Sequence, residues 1–157
     1  MYTVRQITAD DNRKLNSVYI LNCDKGHGLM LLKEDTEIGY YTWEQVLQDF
    51  EDSPTLLVVL NMEMTLFEEH QGKGHWETVN AKQIIRAVRD WQFNVYGCDK
   101  IISYIPTGKL ATDYDEGHWA LIEDPEEGES LASPQNGLQY KKCTCTIESY
   151  KKAYGIE

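Results

Sequence analysis

The residues best suited to chemistry are Gln71, Gly72, Lys73, Gly74, His75 and Trp76, a short stretch holding two glycines. They stand directly before the longest run of apolar residues at helical spacing. The first N–H groups of a helix have no partners inside it, and the helix dipole is positive there. Glycine lets a backbone come close to a phosphate. Such a turn can act as an anion cradle, with backbone amides of Gly72, Lys73, Gly74 and His75 toward the anion and Lys73 adding a positive side chain. His70 and His75 flank the turn and could touch the same anion. The plainer alternative is an ordinary glycine loop with solvated histidines, because a short glycine motif is a weak signal. The other reactive groups are four thiols, Cys23, Cys98, Cys143 and Cys145. Cys143 and Cys145 alternate as in a strand, so both face one way and are expected to pack as small apolar groups. Cys23, His27, Cys143 and Cys145 could form a zinc set, but their spacing matches no strong metal pattern and no metal is expected.

The elements that must position this loop can be read outward from it. Leu56, Leu57, Val58, Val59 and Leu60 are apolar on both faces and predict a central strand. Residues 61–67 continue as an alternating strand, after a turn or bulge near Asn61. A helix is expected over 76–96, with Ala81, Ile84, Ile85, Val88, Trp91 and Val95 on one stripe and Gly97 as its end. Residues 100–106 predict another strand. Upstream, residues 2–7 predict a first strand, Thr8 caps a helix running to about Asn22, and residues 29–32 form a short apolar run. The spacing of Trp43, Val46, Leu47 and Phe50 predicts a short helix within 39–51, capped by Thr42. Downstream, residues 107–116 could hold one or two helical turns, and 117–123 a strand. Residues 124–136 read as an acidic connection, and 137–147 as a final strand closing a wide hairpin.

Composition narrows the function classes. The 157 residues suit one ordinary domain spanning 1–157. Twenty-six acids against 15 bases give a net charge of −11, which opposes a phosphate backbone, so no nucleic-acid partner is expected. No apolar run approaches the roughly 20 residues of a membrane span, so no membrane partner is expected either. The N-terminus lacks a charged start followed by an apolar core, which points to a soluble cytoplasmic protein with reduced thiols. The run from Glu123 to Glu129 is expected to be a solvated loop. A docking patch for a basic partner, or a nucleic-acid mimic, is the sharper alternative.

Taken in order, the strands, the glycine loop, the long helix and the terminal hairpin resemble the GNAT family of acetyl-CoA-dependent N-acetyltransferases over nearly the whole chain. In that family the pyrophosphate of coenzyme A rests on a Gln/Arg-x-x-Gly-x-Gly/Ala loop. Gln71, Gly72, Lys73, Gly74 and His75 follow it, and Trp76 departs from it, standing where a small residue is usual and set to fill the cleft or face a partner. Gly108-Lys109-Leu110-Ala111 takes the place of an Asn-x-x-Ala motif without the Asn. Tyr114 and Gly117-His118-Trp119 take that of a helix ending in Gly-Phe.

The resemblance implies an α/β (α+β) fold, with a mixed, mostly antiparallel central sheet flanked by helices and a C-terminal β-hairpin. It implies acetyl-CoA as cofactor and transfer of an acetyl group to a small-molecule or protein amine. A glutamate on or near the fourth strand serves such enzymes as base, so Glu63 is the first candidate, with Glu68 and Glu69 at the strand's end. Tyr114 matches the usual acid, with Tyr104 as fallback. Each of these is equally well a surface side chain on structural grounds alone. The most similar variants are divergent GNAT-like proteins of tailed bacteriophages. That likeness implies alternatives: a catalytically inactive virion or interaction protein, as a homo-oligomer or within a virion assembly, or an acidic inhibitor of a host protein.

Overall fold

The computed structural model describes residues 1–12, 15, 28–50, 53–106, 124–132 and 139–157. A seven-stranded sheet runs in the order β1-β2-β3-β4-β5-β7-β6. Its strands are β1 (Tyr2–Gln6), β2 (Gly28–Lys33), β3 (Thr36–Phe50), β4 (Ser53–Leu66), β5 (Lys100–Pro106), β6 (Asp124–Ala132) and β7 (Gln139–Thr146). Every neighbouring pair is antiparallel except β4 and β5, which run parallel. The described helices are α1 (Ala9–Asn12), α2 (Thr78–Trp91) and α3 (Ile147–Tyr154). This is the expected mixed, largely antiparallel sheet flanked by helices.

The core forms between α2 and the sheet. Ala81, Ile84, Ile85 and Val88 of α2 are buried, as are Leu29, Leu31, Tyr41, Trp43, Val59, Ile101 and Cys145 from the strands facing them. Cys143 is buried as well, so both thiols of β7 pack inward as expected. On the other face, Ile7, Met30 and Tyr40 form a smaller cluster against Leu15, Leu32 and Phe67. Thr8 caps α1 as expected, its hydroxyl accepting from the Asp11 amide at 3.3 Å while the Asp11 carboxylate accepts from the Thr8 amide at 2.8 Å. Arg5 of β1 grips that carboxylate with both terminal nitrogens, at 2.6 and 3.0 Å, and reaches Glu37 of β3 at 2.7 Å.

Four expectations are corrected. Residues 39–50 are strand, not helix. Tyr40, Tyr41, Thr42 and Trp43 are strong strand formers, and β3 pairs with β2 as far as Thr42 and with β4 from Gly39 to Phe50. Gly39 fits because it has no side chain: a Cβ there would lie 2.9 Å from the Leu66 Cα and closer still to the Thr65 carbonyl oxygen. Residues 124–132 are a strand, not a connection, paired to β7 with a register shift between Pro125 and Ser130 that sets residues 126–129 off the ladder. Proline and acidic residues suit this position at the sheet edge. The chain does not end on the hairpin, because Thr146 and Ser149 form a capping box that starts α3 and Gly155 closes it at φ 64°. Lastly, Val95 is exposed and Phe93 buried, since residues 92–96 form a π turn that adds a residue to the helical repeat. Gly97 ends this turn at φ 79°, as expected. The expected helical turns at 107–116, the strand at 117–123 and most of the helix toward Asn22 lie outside the described residues.

Candidate functional site

The parallel seam between β4 and β5 is short. Val58, Val59 and Leu60 pair with Lys100, Ile101 and Ile102, and there the described pairing stops. It begins with Asp99, whose carboxylate accepts from the Leu57 amide at 2.7 Å and whose amide donates to the Leu57 carbonyl at 2.8 Å. Beyond Leu60, β4 follows β3 to Leu66, while β5 follows β7 to Pro106. The divergence coincides with a bulge: Trp43 pairs with Asn61 and Thr42 with Glu63, leaving Met62 as the extra residue. An added residue bends a strand and strengthens its twist, which turns β4 away from β5. The bulge expected near Asn61 is therefore present.

Residues 67–77 carry the chain from the end of β4 to the start of α2, through a 3-10 turn at Glu68–His70. Gly72 and Gly74 have φ of 70° and 82°, a left-handed backbone that glycine adopts without strain. Among the described residues, the amides of Gly72, Lys73, Gly74, His75 and Trp76 have no backbone acceptor. The Gly74 carbonyl is held toward the helix by the Glu77 amide at 3.1 Å and the Asn80 side chain at 2.9 Å. Among the described residues, amides without a backbone acceptor thus gather just before α2, donors of the kind an anion binds.

The side chains of this loop divide into two groups. Gln71 turns back, its amide donating to the Leu66 carbonyl at 3.1 Å, and so fixes the loop to β4. His75 is buried, with Nδ1 2.8 Å from the Tyr2 hydroxyl of β1 and the His70 ring 6.1 Å away. Burial, with the nearby charges of Lys33 and His70, lowers its pKa. Its side chain is therefore an anchor, and only its amide is left to serve a ligand. Lys73 is exposed and open to an anion. Trp76 is 36% exposed beside the loop. Glu77 escaped sequence reasoning. It is the N-cap of α2, and its carboxylate makes no capping hydrogen bond but lies against Gly74, 3.3 Å from where a Cβ would stand.

Glu63 lies on β4 just past the bulge, opposite Thr42, in the stretch that has left β5. Thr42 is fully buried and its hydroxyl has no hydrogen-bond partner among the described residues. Glu68 and Glu69 are exposed on the 3-10 turn. Tyr104 is exposed on β5 opposite Lys142, within the diverging stretch. Tyr114, Cys23 and His27 lie outside the described residues. Among the described residues, no group of three or more His, Cys, Asp and Glu side chains could hold a metal. No described helix is long and apolar enough to cross a membrane.

No protein-family model and no curated protein sequence matches this chain. Solved structures do. The chain is similar to the spermidine/spermine N-acetyltransferase SpeG from Vibrio cholerae, at 14% identity over 97% of this chain and 98% of that one, with a TM-score of 0.61. It is similar to NAA60 from Arabidopsis thaliana, solved with acetyl-CoA, at 11% identity over 94% and 100%, with a TM-score of 0.63. It is similar to Naa50 from Arabidopsis thaliana, solved with a bisubstrate analogue, at 11% identity over 93% and 99%, with a TM-score of 0.59. At identities this low the likeness establishes the fold alone, which is the GNAT fold.

Proposed function

We propose that this chain is an acyl-CoA-dependent N-acyltransferase that moves an acetyl group to an amine. One observation carries the reading. The only parallel seam among the described strands opens at a bulge, and a loop of free amides at the head of α2 follows the strand that bends away. The residues fit a nucleotide diphosphate: Gly72 has open space around it, the amides of residues 72–76 are available, and Lys73 is exposed. Bound acetyl-CoA would supply the acyl thioester. In this reading the loop amides and Lys73 hold the diphosphate, while Gln71 and His75 keep the loop in shape. Glu63 accepts the proton of the incoming amine, directly or through water, and Tyr114 gives one to the departing thiolate. The net charge of −11 favours a cationic acceptor, since it raises the local concentration of positively charged solutes. Spermidine, named for one of the similar proteins, and peptide amines are the first acceptors to try.

The competing reading is a protein of the same fold that has lost the nucleotide, as a virion component or interaction protein. The Glu77 carboxylate against Gly74 and the bulky Trp76 favour it. A thermal-shift titration with acetyl-CoA separates the two. Ligand at 100 times its dissociation constant stabilises by about 2.7 kcal/mol, so a clear rise in Tm is expected. No rise at millimolar cofactor sinks the transferase. Release of free thiol from acetyl-CoA upon adding spermidine or a peptide amine then tests turnover.

A further inference from the structure

We infer that Glu77 is an internal competitor for the cofactor's phosphates and restrains their binding, an inference that rests on the nucleotide reading above. The carboxylate is held near the cradle from two sides. The Glu77 amide donates to the Gly74 carbonyl, and Asn80 donates to the same oxygen, so Gly74 and the helix start move as one unit. From that fixed point the Glu77 side chain lies over Gly74, with Cδ and Oε1 both 3.3 Å from the site of an absent Cβ and Oε2 at 3.7 Å. It accepts no capping hydrogen bond, so it does not serve the helix as a conventional cap. Its negative charge still sits beside the positive end of the dipole, which favours it there.

A diphosphate approaching the same amides meets that charge at contact range. On residues 68–77 three carboxylates, from Glu68, Glu69 and Glu77, stand against the single lysine Lys73. Either the Glu77 side chain swings away from Gly74 or the phosphates bind against its repulsion. Both lower affinity, and both effects are electrostatic, so both fade with added salt.

The test is calorimetric titration of the full chain with coenzyme A, at low and at high salt. Glu77→Gln keeps the size of the side chain and removes its charge. It is expected to bind about tenfold more tightly than the unaltered protein at low salt, with the gap narrowing at high salt. Glu148→Gln is the control, because Glu148 is an exposed acid in the first turn of α3 and its loss changes net charge equally. It is expected to leave affinity within about twofold. Equal affinity of the unaltered and Glu77→Gln proteins overturns the role of Glu77 and leaves the cofactor reading intact. So does weaker binding by Glu77→Gln when magnesium is present, which would make the carboxylate a partner of the phosphates through the metal. No binding by either protein at millimolar coenzyme A overturns the cofactor reading and this inference with it.

Discussion

The Tyr2 hydroxyl and His75 Nδ1 are 2.8 Å apart in a buried contact that joins the first strand to the glycine loop across 73 residues. Tyr2→Phe removes the bond and leaves a buried ring nitrogen without its partner. The expected cost is about 1–3 kcal/mol in urea unfolding. If the bond also shapes the loop, coenzyme A affinity falls in the same variant, while loss of stability alone would limit Tyr2 to a structural role.

Acidification acts through the same residue. Burial holds the His75 pKa in the folded protein below its ordinary value. The unfolded chain therefore binds the proton first, and the stability that neutral His75 provides is complete above the ordinary histidine range. It declines as pH falls through that range and levels off below the folded value. Urea midpoints measured between neutral and mildly acid pH should fall, and His75→Gln should flatten that part of the curve.

Arg5 holds the Asp11 carboxyl far below the usual carboxylate range, helped by the Thr8 hydrogen bonds. A carboxylate depressed in this way contributes stability above its unfolded pKa and loses it as pH falls below about 4. Asp11→Asn breaks the paired contact with Arg5 and weakens the cap of α1. About 2 kcal/mol of lost stability is expected, and the acid limb of the stability curve should become shallower.

Two glycines give contrasting outcomes. Gly39→Ala pushes a Cβ into the Thr65 and Leu66 backbone of β4, so a loss of about 3 kcal/mol or failure to fold is expected, seen as insoluble protein or a collapsed urea midpoint. Gly74→Val places a branched side chain at φ 82° against the Glu77 carboxylate. The fold should survive at a cost of about 1–3 kcal/mol, because the residue is half-buried in a loop rather than in the core. The Tm rise caused by acetyl-CoA should vanish, and a persisting rise would move the nucleotide elsewhere.

Burial pushes the Cys98 thiol up to about 12, and Cys143 and Cys145 are equally enclosed. Alkylation of the native protein with iodoacetamide should spare all three, and peptide mass mapping should find them labelled only after unfolding.

Where local chemistry and tertiary packing agreed, the sequence was readable. The doubly apolar run at 56–60, the change to alternation at Asn61 and the terminal glycine at Gly97 all read correctly. The helix expected within 39–51 was a misreading because four apolar side chains fell at helical spacing by coincidence, while pairing with β4 as far as Phe50 decided the conformation. Val95 was misassigned because a π turn shifts the repeat and leaves no mark in the pattern. The helix at Ile147–Tyr154 had signals that went unused, a Thr146 and Ser149 cap and a closing Gly155. In the candidate site, the glycine loop was legible from its types and spacing. The Tyr2 anchor was not, since nothing local links residues 73 apart, and Glu77 reads as one more acid until its side chain is seen against Gly74.

The seam between Val58 and Lys100 also bears on how the molecule comes apart. On one side, β1 to β4 are laid down as neighbouring antiparallel partners, and on the other β5 to β7 form their own ladder. Within the sheet, three residue pairs and the Leu57–Asp99 clasp, spanning 42 residues, join these two leaves, while α2 packs across both. The seam's partners lie 42 residues apart, within the 34 to 46 that separate β5 from β7, so loop entropy alone does not set it apart; its three pairs do, fewer than between any other neighbouring described strands. With so few pairs, the sheet is expected to part at this seam before either ladder frays, and the crevice proposed for the nucleotide would be the first feature lost. A sheet parted there would expose two bare strand margins, so weakening the clasp should show itself as clumping during refolding.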